Sequence, residues 1–120
     1  MKLALKLSTD NTLTDLDLDA PAGSLAVLQS GVGGWIEPVD LSEEVTMYCN
    51  EEGKLGDYLP NPIATIIFNT TFAPTRDIIM GDVVFTGGVD DEGDTLGLPA
   101  EAEAAIRDVV KIAGADNDED

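Results

Sequence analysis

The stretch from Trp35 to Asn50, WIEPVDLSEEVTMYCN, decides the fold. WIEPVDL and VTMYCN each read as a β-strand, built on the β-branched and aromatic residues that suit a pleated surface. Asp40-Leu41-Ser42-Glu43-Glu44 between them predicts a hairpin loop. Two strands joined this closely pair antiparallel. Trp35 and Glu37 are two apart and so share a face of a regular strand. A tryptophan beside a carboxylate can hold a ring that carries donor groups; it is equally an ordinary pairing at an amphipathic edge. Cys49 lies inside a strand and reads as buried rather than reactive.

Outward toward the N-terminus, SLAVLQSGV predicts a short helix with Ser24 as its cap and Leu25, Leu28 and Val32 on one face. Gly31, Gly33 and Gly34 end it. The SGVGGWIE glycines precede a strand, whereas a dinucleotide-binding fingerprint precedes a helix, and no Gly-Lys-Ser/Thr follows. They read as a helix C-cap and turn. The same glycines would also let backbone N–H groups approach a ligand, and both roles can coexist. Further out, Leu3, Leu5 and Leu7 alternate with Ala4, Lys6 and Ser8, and TLTDLDLDA alternates again. Period two on both sides of Asp10-Asn11 predicts a hairpin, with the second segment also readable as an irregular acidic edge.

Outward toward the C-terminus, CNEEGKLGDYLPNPIA is longer than a plain turn and its polar groups differ from one another. Asn61-Pro62 is a helix-start signal, although the β-branched IATIIFNTTF argues for strand. A short helix from Pro62 is the expectation. IIMGDVVFT predicts a central strand interrupted by Gly81, and GGVDDEGDTLGL a polar loop. PAEAEAAIRDVVKIAG predicts an amphipathic helix with Ala102, Ile106, Val109, Val110 and Ala113 inward. The fold class is α+β: a small, mostly antiparallel sheet with two or three helices packed on one face. Residues 1–114 read as one domain and 115–120 as a disordered acidic tail.

Charge narrows the partners. The chain has 24 acidic and six basic residues, a formal net charge of -18. Such a surface repels phosphate backbones and anionic lipid, so direct nucleic-acid or membrane binding is not expected. No segment approaches the ~20 apolar residues of a membrane span, and the N-terminal apolar patch is too short for a signal peptide. The acidity can serve solubility, reflect the source proteome or belong to the tail. It can also imitate a nucleic acid. Asp15, Asp17 and Asp19 would stand about 6.7 Å apart on a strand, twice the rise per residue. That row is short, and a longer one needs Asp40, Glu43, Glu44 or the tail.

The sequence contains no histidine and one cysteine. Ser-His-Asp and Cys-His catalysis and His-containing zinc sites are therefore excluded. No intrachain disulfide can form, which fits a reducing cytoplasm. Adjacent Glu51 and Glu52 point apart and bring no further metal ligands. Asp90, Asp91, Glu92 and Asp94 lack the twelve-residue calcium-loop pattern and its closing bidentate Glu. Carboxylate catalysis has no motif behind it. No cofactor and no metal are expected, and the protein reads as non-enzymatic.

Leu28, Gln29, Val32, Gly33, Gly34, Ile36 and Glu37, then Asn50 to Leu55, Leu59, Pro60, Asn61 and Ala64, then Gly81-Asp82, together resemble a family of small domains of unknown function. Bacteriophages and plasmids, especially of actinobacteria, carry that family. The resemblance spans about 28–113 and leaves the first hairpin and the tail outside. Pro62 stands where the pattern more usually has a polar residue. It implies a mobile-element origin and supplies no activity.

Gln29, Gly33, Gly34, Trp35, Glu37, Asn50, Glu51, Lys54 and Asn61 are the candidate contact residues. The VGGWIE strand and the NEEGK turn are expected to converge on one polar pocket or patch. The function expected is a phage accessory protein in the host cytoplasm that binds a host factor or a small signal, a nucleotide among the candidates, to counter antiviral defence. Backbone N–H groups at Gly33-Gly34 and the Lys54 ammonium would meet its phosphates. The alternative is an acidic DNA mimic, with Asp15, Asp17 and Asp19 on its surface, that occupies a basic host protein. A symmetric homodimer is the default assembly.

Overall fold

The computed structural model describes residues 2–53, 56, 58–71 and 77–115. Strands β1 (Leu3–Leu7) and β2 (Leu13–Asp17) are followed by helix α1 (Ser24–Val32). Strands β3 (Ile36–Ser42) and β4 (Val45–Asn50) follow, then α2 (Pro62–Thr71), β5 (Val83–Thr86) and α3 (Ala100–Ala115). The strands form one sheet in the order β2-β1-β5-β4-β3, and every neighbouring pair is antiparallel. The fold is α+β.

Two apolar layers hold the sheet. Leu5, Leu7, Met47, Cys49, Val83 and Phe85 point to the face covered by α2 and α3, where Ile63, Ala64, Ile106 and Val110 meet them. Two of the three helices thus share one face. The opposite face carries Ala4, Tyr48 and Val84, and α1 covers it with Leu28 and Val32. Ala4, which alternates with the leucines of β1, is completely buried there. Cover on both faces leaves β4 and β5 buried almost throughout, Thr46, Asn50 and Thr86 included. The helix α1 lies so close to the sheet that a Cβ on Gly31 would stand 2.6 Å from Val84 Cγ2.

Local chemistry accounts for the element ends. Gly23, not Ser24, occupies the N-cap of α1, and no side chain caps that end. Leu25 is 57% exposed, so the apolar face of α1 is narrower than its leucines suggest. Helix α2 begins as the Asn61-Pro62 signal predicts: Asn61 Oδ1 accepts the Ala64 N–H at 3.2 Å. Tertiary packing of Ile63 and Ala64 overrides the β-branched bias of the segment. Strand β5 is shorter than IIMGDVVFT suggests. Gly81 takes φ +83, and Met80 forms only an isolated bridge with Pro60. Among the described residues, no helix is long and apolar enough to cross a membrane. The tail proposed for 115–120 lies almost wholly outside the described residues.

Candidate functional site

The two arms expected to converge do so through the β3–β4 ladder. Ile36 pairs with Asn50, Glu37 with Cys49 and Val39 with Met47. The Glu51 N–H donates to the Trp35 carbonyl at 2.8 Å, which carries the ladder one residue further. Glu37 and Glu51 therefore reach one cleft of about 300 Å³. Its apolar lining includes Val39, Cys49, Phe68 and Ile79, and its polar lining includes Asp77. No basic residue is among its described lining. The cleft thus offers acceptors over an apolar floor and suits a ligand with donors and an aliphatic or aromatic body.

The other expected contact residues serve the fold. The Gln29 carbonyl accepts the N–H groups of Gly33 at 2.9 Å and Gly34 at 3.0 Å. Gly33 takes the left-handed φ of +78 that closes α1. Those two N–H groups are therefore engaged by the helix end, and the phosphate nest expected at Gly33-Gly34 loses its donors. A Cβ on Gly34 would stand 2.9 Å from Asn50 Nδ2, so the glycine admits the asparagine. Asn50 is itself buried and saturated. Its Nδ2 donates to the Val32 carbonyl and the Tyr58 hydroxyl, and its Oδ1 accepts the Glu52 N–H.

Asn61 is 0% exposed. Its Nδ2 donates to the carbonyls of Leu7 and Gly81, both at 3.0 Å, tying α2 to β1 and to the turn before β5. Asn50 borders the cleft with its amide already engaged, whereas Asn61 stands outside the lining and ties together the elements behind it. Trp35 is the opposite case, 67% exposed at the entrance to β3. Lys54 lies outside the described residues.

A second cleft, of about 370 Å³, opens on the opposite face of the same edge strand. Pro38, Asp40, Glu43, Thr46, Tyr48 and Val89 are among its lining. Thr46 Oγ1 donates to Asp40 Oδ1 at 2.9 Å. Burial, and then the Asp40 carboxylate, push the Tyr48 hydroxyl above its ordinary pKa, so it stays a neutral phenol. None of these residues was among the expected contact residues; Asp40 and Glu43 were named only as extensions of the aspartate row. The signal that points to them is the period-two alternation of β3, which sends Pro38 and Asp40 to the face that Glu37 and Val39 avoid.

The aspartate row is short. Asp15 and Asp17 lie on β2, and Asp19 lies in the turn beyond it. Arg107 Nη2 binds Asp15 Oδ1 at 2.9 Å and Arg107 Nε binds Glu103 at 2.8 Å. Strands β2 and β3 are opposite edges of the sheet. Asp40, Glu43 and Glu44 therefore stand about 19 Å away, four strand spacings, and do not continue the row. In the 90–94 loop Asp90 Oδ1 accepts the N–H groups of Glu92 and Asp94, which makes that carboxylate a turn stabiliser. Among the described residues, no group of three acidic or cysteine side chains could hold a metal ion.

A family model described as Domain of unknown function (DUF3846) matches residues 1–111. The match takes in the β1–β2 hairpin, which the sequence resemblance leaves outside. No curated protein and no solved structure matches the chain. The chain belongs to the DUF3846 family.

Proposed function

For this member of the DUF3846 family we propose a non-enzymatic binding protein that captures a basic partner protein. The observation that carries this reading is the cleft shared by Glu37 and Glu51, with its apolar floor and no cation in its described lining. A lysine or arginine side chain fits it: the aliphatic stem lies on Val39 and Phe68 while the head reaches the carboxylates. The net charge of -18 steers such a partner from a distance. In the setting that the resemblance implies, the chain is an accessory protein of a bacteriophage or plasmid. Its partner is then a host factor, and occupying that factor counters an antiviral defence.

Geometry favours this over the nucleotide-signal form of the same idea. Phosphates need N–H donors or cations, and the Gly33 and Gly34 donors are taken by Gln29. It also favours a cleft over a nucleic-acid-like row, because Arg107 already neutralises part of the Asp15–Asp19 edge.

Native mass spectrometry of the protein recovered from host lysate tests the proposal. The expected result is a retained basic protein, released by salt and lost in the Glu37→Lys/Glu51→Lys variant. Retention of that protein by the double variant would remove the cleft from the account. Retention of a nucleotide-sized molecule instead would restore the signal reading.

A further inference from the structure

Strand β3 is the last strand of the sheet among the described residues, and the two clefts flank it, one on each face. We propose that β3 is a docking edge for an extended basic peptide, which adds to the sheet as a further strand and sends alternate side chains into the two clefts. This rests on the binding reading above and names how the partner is held.

The ladder shows which backbone groups are available. Hydrogen-bonded pairs alternate with non-bonded pairs along antiparallel strands. The Trp35–Glu51 bond at 2.8 Å fixes the phase. With Glu37 opposite Cys49 and Val39 opposite Met47, those residues direct their N–H and C=O groups to β4. Ile36, Pro38 and Asp40 then direct theirs outward. Pro38 has no N–H to offer, as a proline on a sheet edge requires. Ile36 and Asp40 keep a donor and an acceptor each, and Pro38 keeps its carbonyl. Beyond Asp40 the bulge between Asp40 and Ser42 ends the regular edge.

The same features decide the occupant. Proline, charge and a bulge on an edge strand oppose pairing with another copy. A second copy would bring a strand that itself carries Glu37 and Asp40 close to these carboxylates, and neighbouring like charges disfavour the pairing. A basic peptide meets the reverse situation. Glu37 faces the first cleft and Asp40 the second, three residues along. An added strand therefore satisfies both with basic residues an odd number of positions apart, because side chains alternate between faces. Each cleft has an exposed apolar rim, Ile78 on one and Val89 on the other. Trp35, exposed at the start of the strand, offers its ring to an arginine guanidinium.

The test uses three capped peptides of equal length and charge, titrated calorimetrically against the whole chain at physiological salt. One carries two arginines three positions apart in a valine and threonine background. The second carries the same residues with alternate backbone amides N-methylated. The third moves the arginines to four positions apart. The expected result is that the first peptide binds at least tenfold more tightly than either of the others. Equal binding by all three would mean attraction by charge alone; it would overturn edge pairing and leave the basic-partner reading intact. Absence of binding by all three, with a basic host protein still captured through Glu37 and Glu51, would also overturn it.

Discussion

The Asn50–Asn61 junction and the Trp35–Ser42 edge look equally polar as sequence, and they use their polar groups in opposite ways. At the junction every named side-chain donor turns inward: Asn50 to Val32 and Tyr58, Asn61 to Leu7 and Gly81. At the edge Trp35, Glu37 and Asp40 are exposed, and two clefts open beside them. A buried asparagine replaces missing backbone partners where strands and helices meet irregularly, whereas the exposed edge carboxylates face solvent, even though Asp40 also accepts the Thr46 hydroxyl. Residue type alone does not separate these roles. Burial does.

The largest expected effect comes from Asn61→Ala. It removes two donors to buried carbonyls and the cap of α2, and should cost about 3 kcal/mol in urea unfolding. Asn61→Asp should be no milder, because a carboxylate would face the Leu7 and Gly81 carbonyls. A loss below about 1 kcal/mol would return Asn61 to the list of contact residues. Gly31→Ala comes next, at about 2 kcal/mol, because its new methyl meets Val84. Gly33→Ala has open space around it and should cost about 1 kcal/mol, from its positive φ alone.

The edge should behave otherwise. Glu37→Gln and Trp35→Ala should each leave stability within about 0.5 kcal/mol, since neither side chain is buried. Each should weaken binding of the two-arginine peptide, measured by calorimetry. Unfolding of either variant would make the edge structural and erase the contrast with the junction. Smallest is Arg107→Ala, which removes the surface ion pairs to Asp15 and Glu103, together worth about 0.5 kcal/mol, an effect that should fade in high salt.

Much of the fold was legible. The alternation of Leu3, Leu5 and Leu7, the hairpin around Ser42, the Asn61-Pro62 start and the amphipathic period of α3 all rest on local geometry. The position of α1 was not. Its leucines say that one side is buried, but only the small side chains of Ala4 and Gly31 show that it lies against the second face of the sheet. The candidate site was half legible. The meeting of Glu37 and Glu51 follows from a hairpin register. The cleft around Asp40 and Tyr48 also needs Gly88 and Val89, which arrive from a distant part of the chain.

By itself the sequence determined the element types, the antiparallel pairing of neighbouring strands and the exclusion of histidine chemistry, because periodicity, turn residues and composition act over a few positions. The tertiary structure decided the strand order, and with it which strand became the edge. It decided that Gly33 and Gly34 close a helix instead of holding a phosphate. It also decided which asparagines are buried and which carboxylates face a cleft. Those outcomes depend on contacts between residues far apart in the chain, where burial and the saturation of hydrogen bonds fix the role of each side chain.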